Sequence, residues 1–378
     1  MPDIYLDYNA TTPIDPRVAD AMMPYIRTSF GNPSSGHSFG IEAHAGVDRA
    51  RRQVARTLGC EPDEVVFTSG GTEANNHAIK GVAASHGHDG RHIITSAIEH
   101  PAVEEVCGYL EGQGFTVTYL PVDRDGLVHP EQVEEAITPE TILVTIMHAN
   151  NEVGTIQPIR EIAEVAHRHG ALMHSDCAQS VGKIPVKVDD LGIDLLSIAG
   201  HKLYAPKGVG ALYIRVGVTV EKLMHGADHE SGRRACTENV VLVSGLGMAC
   251  ELIEENLPAY TQHMREVRDR LEAGVKRAFP AATFNGHRDE RLPNTSSVSF
   301  KGLEANAILA DLHGVAASAG AACHSDRIDV SPVLRAMNVP IEQAMGTIRL
   351  SVGRYTTTDE IDSAVEQIGN VVGALAGV

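Results

Sequence analysis

Lys202 lies in Ala199-Gly200-His201-Lys202-Leu203, just past the apolar run Leu195–Ala199. A lysine between a buried strand and Gly and His neighbours can be a desolvated amine, able to form a Schiff base. The competing reading is the ordinary one, a solvated surface lysine. Asp176 closes the run Ala171–Asp176 and precedes Cys177-Ala178-Gln179. A carboxylate there can hold a cationic ring nitrogen in its protonated form, or it can cap the following helix. In Thr68-Ser69-Gly70-Gly71-Thr72-Glu73, small residues follow one strand and open a helix. Backbone N–H groups at such a turn can cradle an anion, and the bland alternative is a tight turn with a hydroxyl cap. The turn lacks both GK[ST] and GxGxxG, so it suits one phosphate monoester better than a nucleotide.

His100, in Glu99-His100-Pro101, follows the run His92–Ser96 and precedes a proline suited to a first helical turn. It can stack on an aromatic cofactor, move protons, or simply cap the helix. Cys323 sits in Gly320-Ala321-Ala322-Cys323-His324-Ser325-Asp326, a loop of small residues in which His324 could favour the thiolate. Taken in chain order, the anion turn, the strand-end Asp176 and the post-strand Lys202 are the parts that a pyridoxal-phosphate (PLP) site requires.

The elements that must hold these groups are visible in the hydrophobic pattern. Apolar, β-branched runs occur at Glu64–Thr68, His92–Ser96, Phe115–Val122, Thr141–Ala149, Ala171–Asp176, Leu195–Ala199 and Val209–Arg215. Helical periodicity fills Ile41–Leu58, Ala74–His86, Ala102–Glu111 and Ile159–His169 between them. Strand–helix alternation implies a mostly parallel sheet covered on both faces, with ligands beyond the carboxyl ends of its strands. A long helical stretch over Val240–Ala278 then leads to a mixed region, with strands near Ser296–Phe300 and Ile348–Ser351 and helices near Ala305–Asp311 and Thr358–Val372.

Length and composition set outer bounds. The 378 residues suggest two or three domains and bury enough surface to fold without a disulfide or metal staple. A net charge of −18 argues against a nucleic-acid binder acting through its overall field. No apolar run approaches the roughly 20 residues of a membrane span, and the first residues do not form a signal peptide. Six cysteines without CxxC spacing predict free thiols in a reducing compartment, so the expected location is cytoplasmic. No metal site is expected, because the histidine-rich stretch His86–His92 has no partners at ligand spacing.

The chain resembles the cysteine desulfurases of the NifS/IscS type, within the class V aminotransferase group of PLP enzymes. The resemblance runs from Tyr5-Leu6-Asp7-Tyr8-Asn9-Ala10-Thr11-Thr12-Pro13 and Gly31-Asn32-Pro33-Ser34-Ser35-Gly36-His37 through Ser69–Glu73 and His148-Ala149-Asn150-Asn151-Glu152-Val153-Gly154. It continues in Asp176–Ser180, Gly200-His201-Lys202, the Cys323 loop and Arg349-Leu350-Ser351-Val352-Gly353-Arg354-Tyr355. It implies an α/β, PLP-dependent transferase fold (fold type I). A large PLP-binding domain over 14–256 would be joined to a smaller α+β domain made from 1–13 with 257–378.

The resemblance also implies roles. Lys202 would carry the cofactor, Asp176 would pair with its ring nitrogen, Gln179 with its ring hydroxyl, and His100 would stack on the ring. Gly71, Thr72 and His201 would bind phosphate, with Thr237 reaching across a homodimer interface. Asn151, which would also contact the cofactor, and Arg354 would position the substrate, Arg354 by forking onto its carboxylate. Cys323 would accept sulfur from L-cysteine, releasing alanine and passing its persulfide to a protein acceptor such as an iron–sulfur scaffold or thiolation carrier. Two positions depart from the pattern: Ala199 replaces a frequent Ser, and Cys236 a usual Gly. A selenocysteine lyase, acting on L-selenocysteine, is the near rival because its loop resembles Gly320–Asp326 as well. A non-catalytic scaffold for sulfur-transfer partners is the remote one.

Overall fold

The computed structural model describes residues 4–324 and 327–377, and the side chains of residues 321–329 lie outside that description. Its centre is a seven-stranded sheet built from β1 (Val65–Thr68), β2 (His92–Ser96), β3 (Thr116–Leu120), β4 (Thr141–Thr145), β5 (Leu172–Asp176), β6 (Leu195–Ala199) and β7 (Gly210–Ile214). The order across the sheet is β1-β7-β6-β5-β4-β2-β3. Strands β3, β2, β4, β5 and β6 run parallel, whereas β7 is antiparallel to both β6 and β1. The reversal follows from the link: Gly200–Val209 holds only a 3-10 turn, too short for a helical crossover.

Both faces of the sheet are apolar because successive side chains alternate between two cores. Val65, Phe67, Ile94, Val144, Leu196, Ile198 and Tyr213 join one core. Val66, Ile93, Leu143, Leu195 and Leu212 join the other. On the first face lie α1 (Pro16–Arg27), α2 (Ser38–Leu58) and α5 (Ile159–Arg168); on the second lie α3 (Gly71–His86) and α4 (Pro101–Glu111). The first helical turn of α3 and of α2 begins three residues before the hydrophobic period does, since those turns carry Gly71-Thr72-Glu73 and Ser38-Phe39-Gly40.

Helix α6 (Val240–Ala278) starts at Asn239, whose side chain accepts from the Leu242 N–H. Val243, Leu246, Ala249 and Ile253 pack into the first core of the large sheet, whereas Met264, Val267, Leu271 and Val275 enter a third core. That third core lies under a second, antiparallel sheet of β8 (Thr283–Asn285), β9 (Thr295–Ser299), β10 (Ser318–Ala319) and β11 (Thr347–Ser351). Helix α7 (Thr358–Ala376) closes it with Ile361, Ala364, Ile368 and Val372, and opens with a Thr357–Glu360 capping box. Ile4–Tyr5 pairs in parallel with Val315–Ala316, so the chain's start is laid against this later region.

Candidate active site

A cavity of about 310 Å³ opens beyond the carboxyl ends of the central strands. Its wall includes Gly71, Thr72, His100, Asn151, Asp176, Gln179, His201 and Lys202, contributed by the loops after β1, β2, β4, β5 and β6. Its size falls in the range of small-molecule sites, and its position is where open α/β sheets bind ligands.

Asp176 is the last residue of β5 and is buried. Its Oδ2 accepts from Asn75 Nδ2 at 2.6 Å, and its Oδ1 accepts from the Ala178 N–H at 2.9 Å. The carboxylate is therefore fixed from α3 and from its own turn, with charge that no arginine neutralises in these contacts. Gly71 opens α3, and a Cβ built on it would stand 3.1 Å from the Ala199 Cβ, so glycine keeps the helix start free beside the end of β6. A helix start whose first residue has no side chain suits an anion.

Lys202 follows β6, and its Nζ donates to the carbonyls of Asn9 at 2.6 Å and Ala10 at 2.8 Å. Burial, reinforced by the Arg349 charge and opposed by Asp176 and Asp7, lowers its pKa to about 8. About a tenth of the amine is thus free base at pH 7, far more than for an ordinary lysine, as a nucleophile or proton acceptor requires. His100 is the N-cap of α4: its Nδ1 accepts from the Ala102 N–H at 3.1 Å, which leaves the proton on Nε2. Burial lowers its pKa, more than Asp176 raises it, so the ring is held neutral. His201 is pushed down to about 4, first by burial and then by Lys202, and meets the Thr11 hydroxyl at 3.2 Å.

Two expected residues stand elsewhere, and the side chain of a third lies outside the described residues. Arg354 does not line this cavity. Its guanidinium is buried against Asp15 Oδ2 at 2.5 Å and lies over the Tyr204 ring, 3.7 Å from the centroid. Its charge is taken up by Asp15 in this structure, at a distance from the cavity wall where a substrate carboxylate would be met. Thr237 is exposed and outside the cavity wall of its own chain. Cys323 belongs to the strand Ala321–His324, paired with Arg327–Val330, and its side chain lies outside the described residues.

Arg349, Asn9 and Asn75 are site residues that the sequence reading left unassigned. Arg349 lines the cavity, donating to the Asn151 carbonyl at 3.0 Å and to Asp7 Oδ1 at 2.8 Å, with its Nε buried and unpaired. The signal was present: Ile348 and Leu350 are core residues of β11, so the period of two turns Arg349 to the opposite face. Asn9 joins the site through its carbonyl and its side chain, which donates to the Asn151 carbonyl and the Thr295 hydroxyl.

The four other cysteines with buried or half-buried thiols are unsuited to nucleophilic work. Burial pushes Cys60, Cys107, Cys177 and Cys250 up to about 12.

The model of the aminotransferase class-V family matches residues 4–364. A cysteine desulfurase IscS of Dictyoglomus turgidum is 47% identical over 372 residues, covering 98% of this chain and 94% of the relative. One of Methanosarcina thermophila is 46% identical over 371 residues, covering 98% and 92%. Among solved structures, a NifS-like protein superposes with a TM-score of 0.93 at 38% identity, covering 99% of this chain and all of that one. The structure described as SspA in complex with cysteine gives 0.82 at 38% identity, over 94% of this chain and all of that one. A match across nearly the whole length, around a cavity with a strand-end carboxylate and a depressed lysine, places the chain in the class V aminotransferase family.

Proposed function

We propose that the chain is a PLP-dependent cysteine desulfurase, converting L-cysteine to L-alanine with transfer of sulfur to Cys323. The observation that carries this reading is the convergence of Lys202, Asp176, His100 and the Gly71 turn on one cavity. The donor set fits the cofactor: a buried carboxylate for a ring nitrogen, a neutral imidazole for a ring face, a bare helix start for a phosphate, and an amine of lowered pKa for a carbonyl. Asp176, His100, Gln179 and Lys202 would hold the ring, with Gly71, Thr72 and His201 at the phosphate. When bound, the cofactor supplies a sink for the electron pair left as the substrate loses its Cα proton.

The chain's own groups supply the rest. Lys202, once free, accepts the Cα proton with an amine tuned close to neutral pH. Arg349 offers its guanidinium to the substrate carboxylate, and Asn151 stands beside it on the cavity wall. The Cys323 thiolate attacks the substrate sulfur; the Cβ–S bond breaks as the S–S bond forms. L-cysteine plus the Cys323 thiol become L-alanine plus a Cys323 persulfide, which a protein acceptor for iron–sulfur assembly or thiolation would take.

This reading includes a homodimer in which Thr237 serves the partner's site, and a cytoplasmic location. Among the described residues, no helix is long and apolar enough to cross a membrane. It also retains a large domain over 14–256 with the reactive loop on the smaller one. Cys323→Ala should keep cofactor absorbance and lose alanine formation from L-cysteine. Undiminished alanine release by that variant would overturn the role of Cys323, and strong preference for L-selenocysteine over L-cysteine would replace desulfurase with selenocysteine lyase.

A further inference from the structure

Lys183 is a buried lysine that the reaction above does not use. It is 4% exposed and stands four residues after Gln179. Its Nζ donates to Gln179 Oε1 at 2.6 Å and to Asn9 Oδ1 at 3.0 Å. Among the described residues, no carboxylate pairs with it. Burial lowers its pKa well below the ordinary lysine value, and the charges of Lys202 and Arg349 act in the same direction. It also borders a small crevice that Tyr8, Lys202, Tyr204, Tyr260 and Arg354 line with it.

A side-chain amide has one accepting end and one donating end, so its neighbours decide which way it points. An amine whose N–H groups face an amide demands the oxygen, and a backbone carbonyl demands the nitrogen. Gln179 is caught between both, with Oε1 toward Lys183 and Nε2 donating to the Asn9 carbonyl at 3.0 Å. The second N–H of Nε2 is then left for the cavity that Gln179 lines. The same Asn9 carbonyl accepts Lys202 Nζ, so the orientation of Gln179 and the seat of Lys202 share one acceptor.

We propose that Lys183 is a positioning residue: it locks the Gln179 carboxamide so that an N–H, rather than a carbonyl, faces an anionic oxygen of the bound cofactor. The proposal rests on the cavity being the PLP site. Without the amine, only the Asn9 carbonyl holds the amide's sense, and that acceptor is shared with Lys202, so a turned amide that presents its oxygen gains population. Loss of a donor to an anionic oxygen disfavours the anionic form, so the pH at which that form appears must rise.

The test is a pH titration of the holoenzyme followed by cofactor absorbance. Lys183→Met should raise the midpoint by about one unit, the scale of one hydrogen bond to a charged group. Lys183→Gln, whose amide can donate again, should fall between Lys183→Met and wild type, and it serves equally if the methionine variant fails to fold. In a Gln179→Ala background, Lys183→Met should add no further shift, because Lys183 acts through that amide alone. The melting temperature of the apo variants separates loss of packing from loss of orientation. An unchanged midpoint in a loaded Lys183 variant, or an equal shift without Gln179, would overturn the proposal. Absence of cofactor absorbance in the wild-type protein would instead strike the reading of the site itself.

Discussion

Arg349 lies in the middle of β11 and Arg354 three residues past its end, and their surroundings differ. Arg349 sits on β11 between two core residues and so turns toward the cavity, where its Nε is still unpaired. Arg354 lies beyond the strand, and Asp15 takes its charge in a buried pair. Arg349→Lys keeps a positive charge but loses the planar fork, and each charge-assisted hydrogen bond lost is worth about 1.5–3 kcal/mol. Steady-state kinetics should therefore show KM for L-cysteine raised by ~10–100-fold, with cofactor absorbance retained; an unchanged KM would remove Arg349 from the substrate site. Sequence reading took Arg354 from the motif that the resemblance supplied, whereas the strand register brings Arg349 to the cavity wall. It passed over Lys183 because a lysine is expected in solvent, and only the folded neighbours Asn9 and Gln179 show why this one is buried.

Elements were easier to read than contacts. Strands β1, β2 and β4 to β7 stand out as apolar runs because both of their faces are covered, and α6 matches its periodic stretch from end to end. Helix α1 was not visible: its acidic and proline-rich start and the internal Pro24 mask a period that packing completes through Val18 and Met22. The antiparallel setting of β7 was equally hidden, since a buried strand carries the same residues in either direction. The turn before α6 shows how a departure from the family pattern acquires a physical meaning. Cys236 has φ of 104°, a conformation that glycine takes freely and a Cβ resists. Cys236→Gly should raise the free energy of unfolding by about 1 kcal/mol, measured as a higher urea midpoint, whereas Cys236→Ala, which keeps the Cβ, should not.

Across the whole molecule, the N-terminal segment acts as a strap between the region around β8–β11 and the cofactor cavity. Ile4–Tyr5 pairs with Val315–Ala316, Asp7 binds Arg349, Asn9 meets Lys183 and Lys202, and Asp15 ends the strap against Arg354. That last pair is sealed from water and fixes the start of α1 to the chain beyond β11. Burial alone would raise the Asp15 carboxyl, but hydrogen bonds from Arg17 and Tyr355 and the Arg354 charge hold it far below its ordinary value of 3.8. An acid with a depressed folded-state pKa stabilises the fold above its unfolded pKa and loses that contribution as pH falls. Asp15→Asn leaves the Arg354 charge buried without its partner, a change that costs about 3–5 kcal/mol in comparable buried pairs. The variant should therefore melt well below wild type at pH 7. The gap should shrink as pH falls below about 4, where the wild-type unfolded state takes up the proton that the folded state refuses. A gap that stays constant with pH would show that the strap is held by packing and neutral hydrogen bonds rather than by this charge.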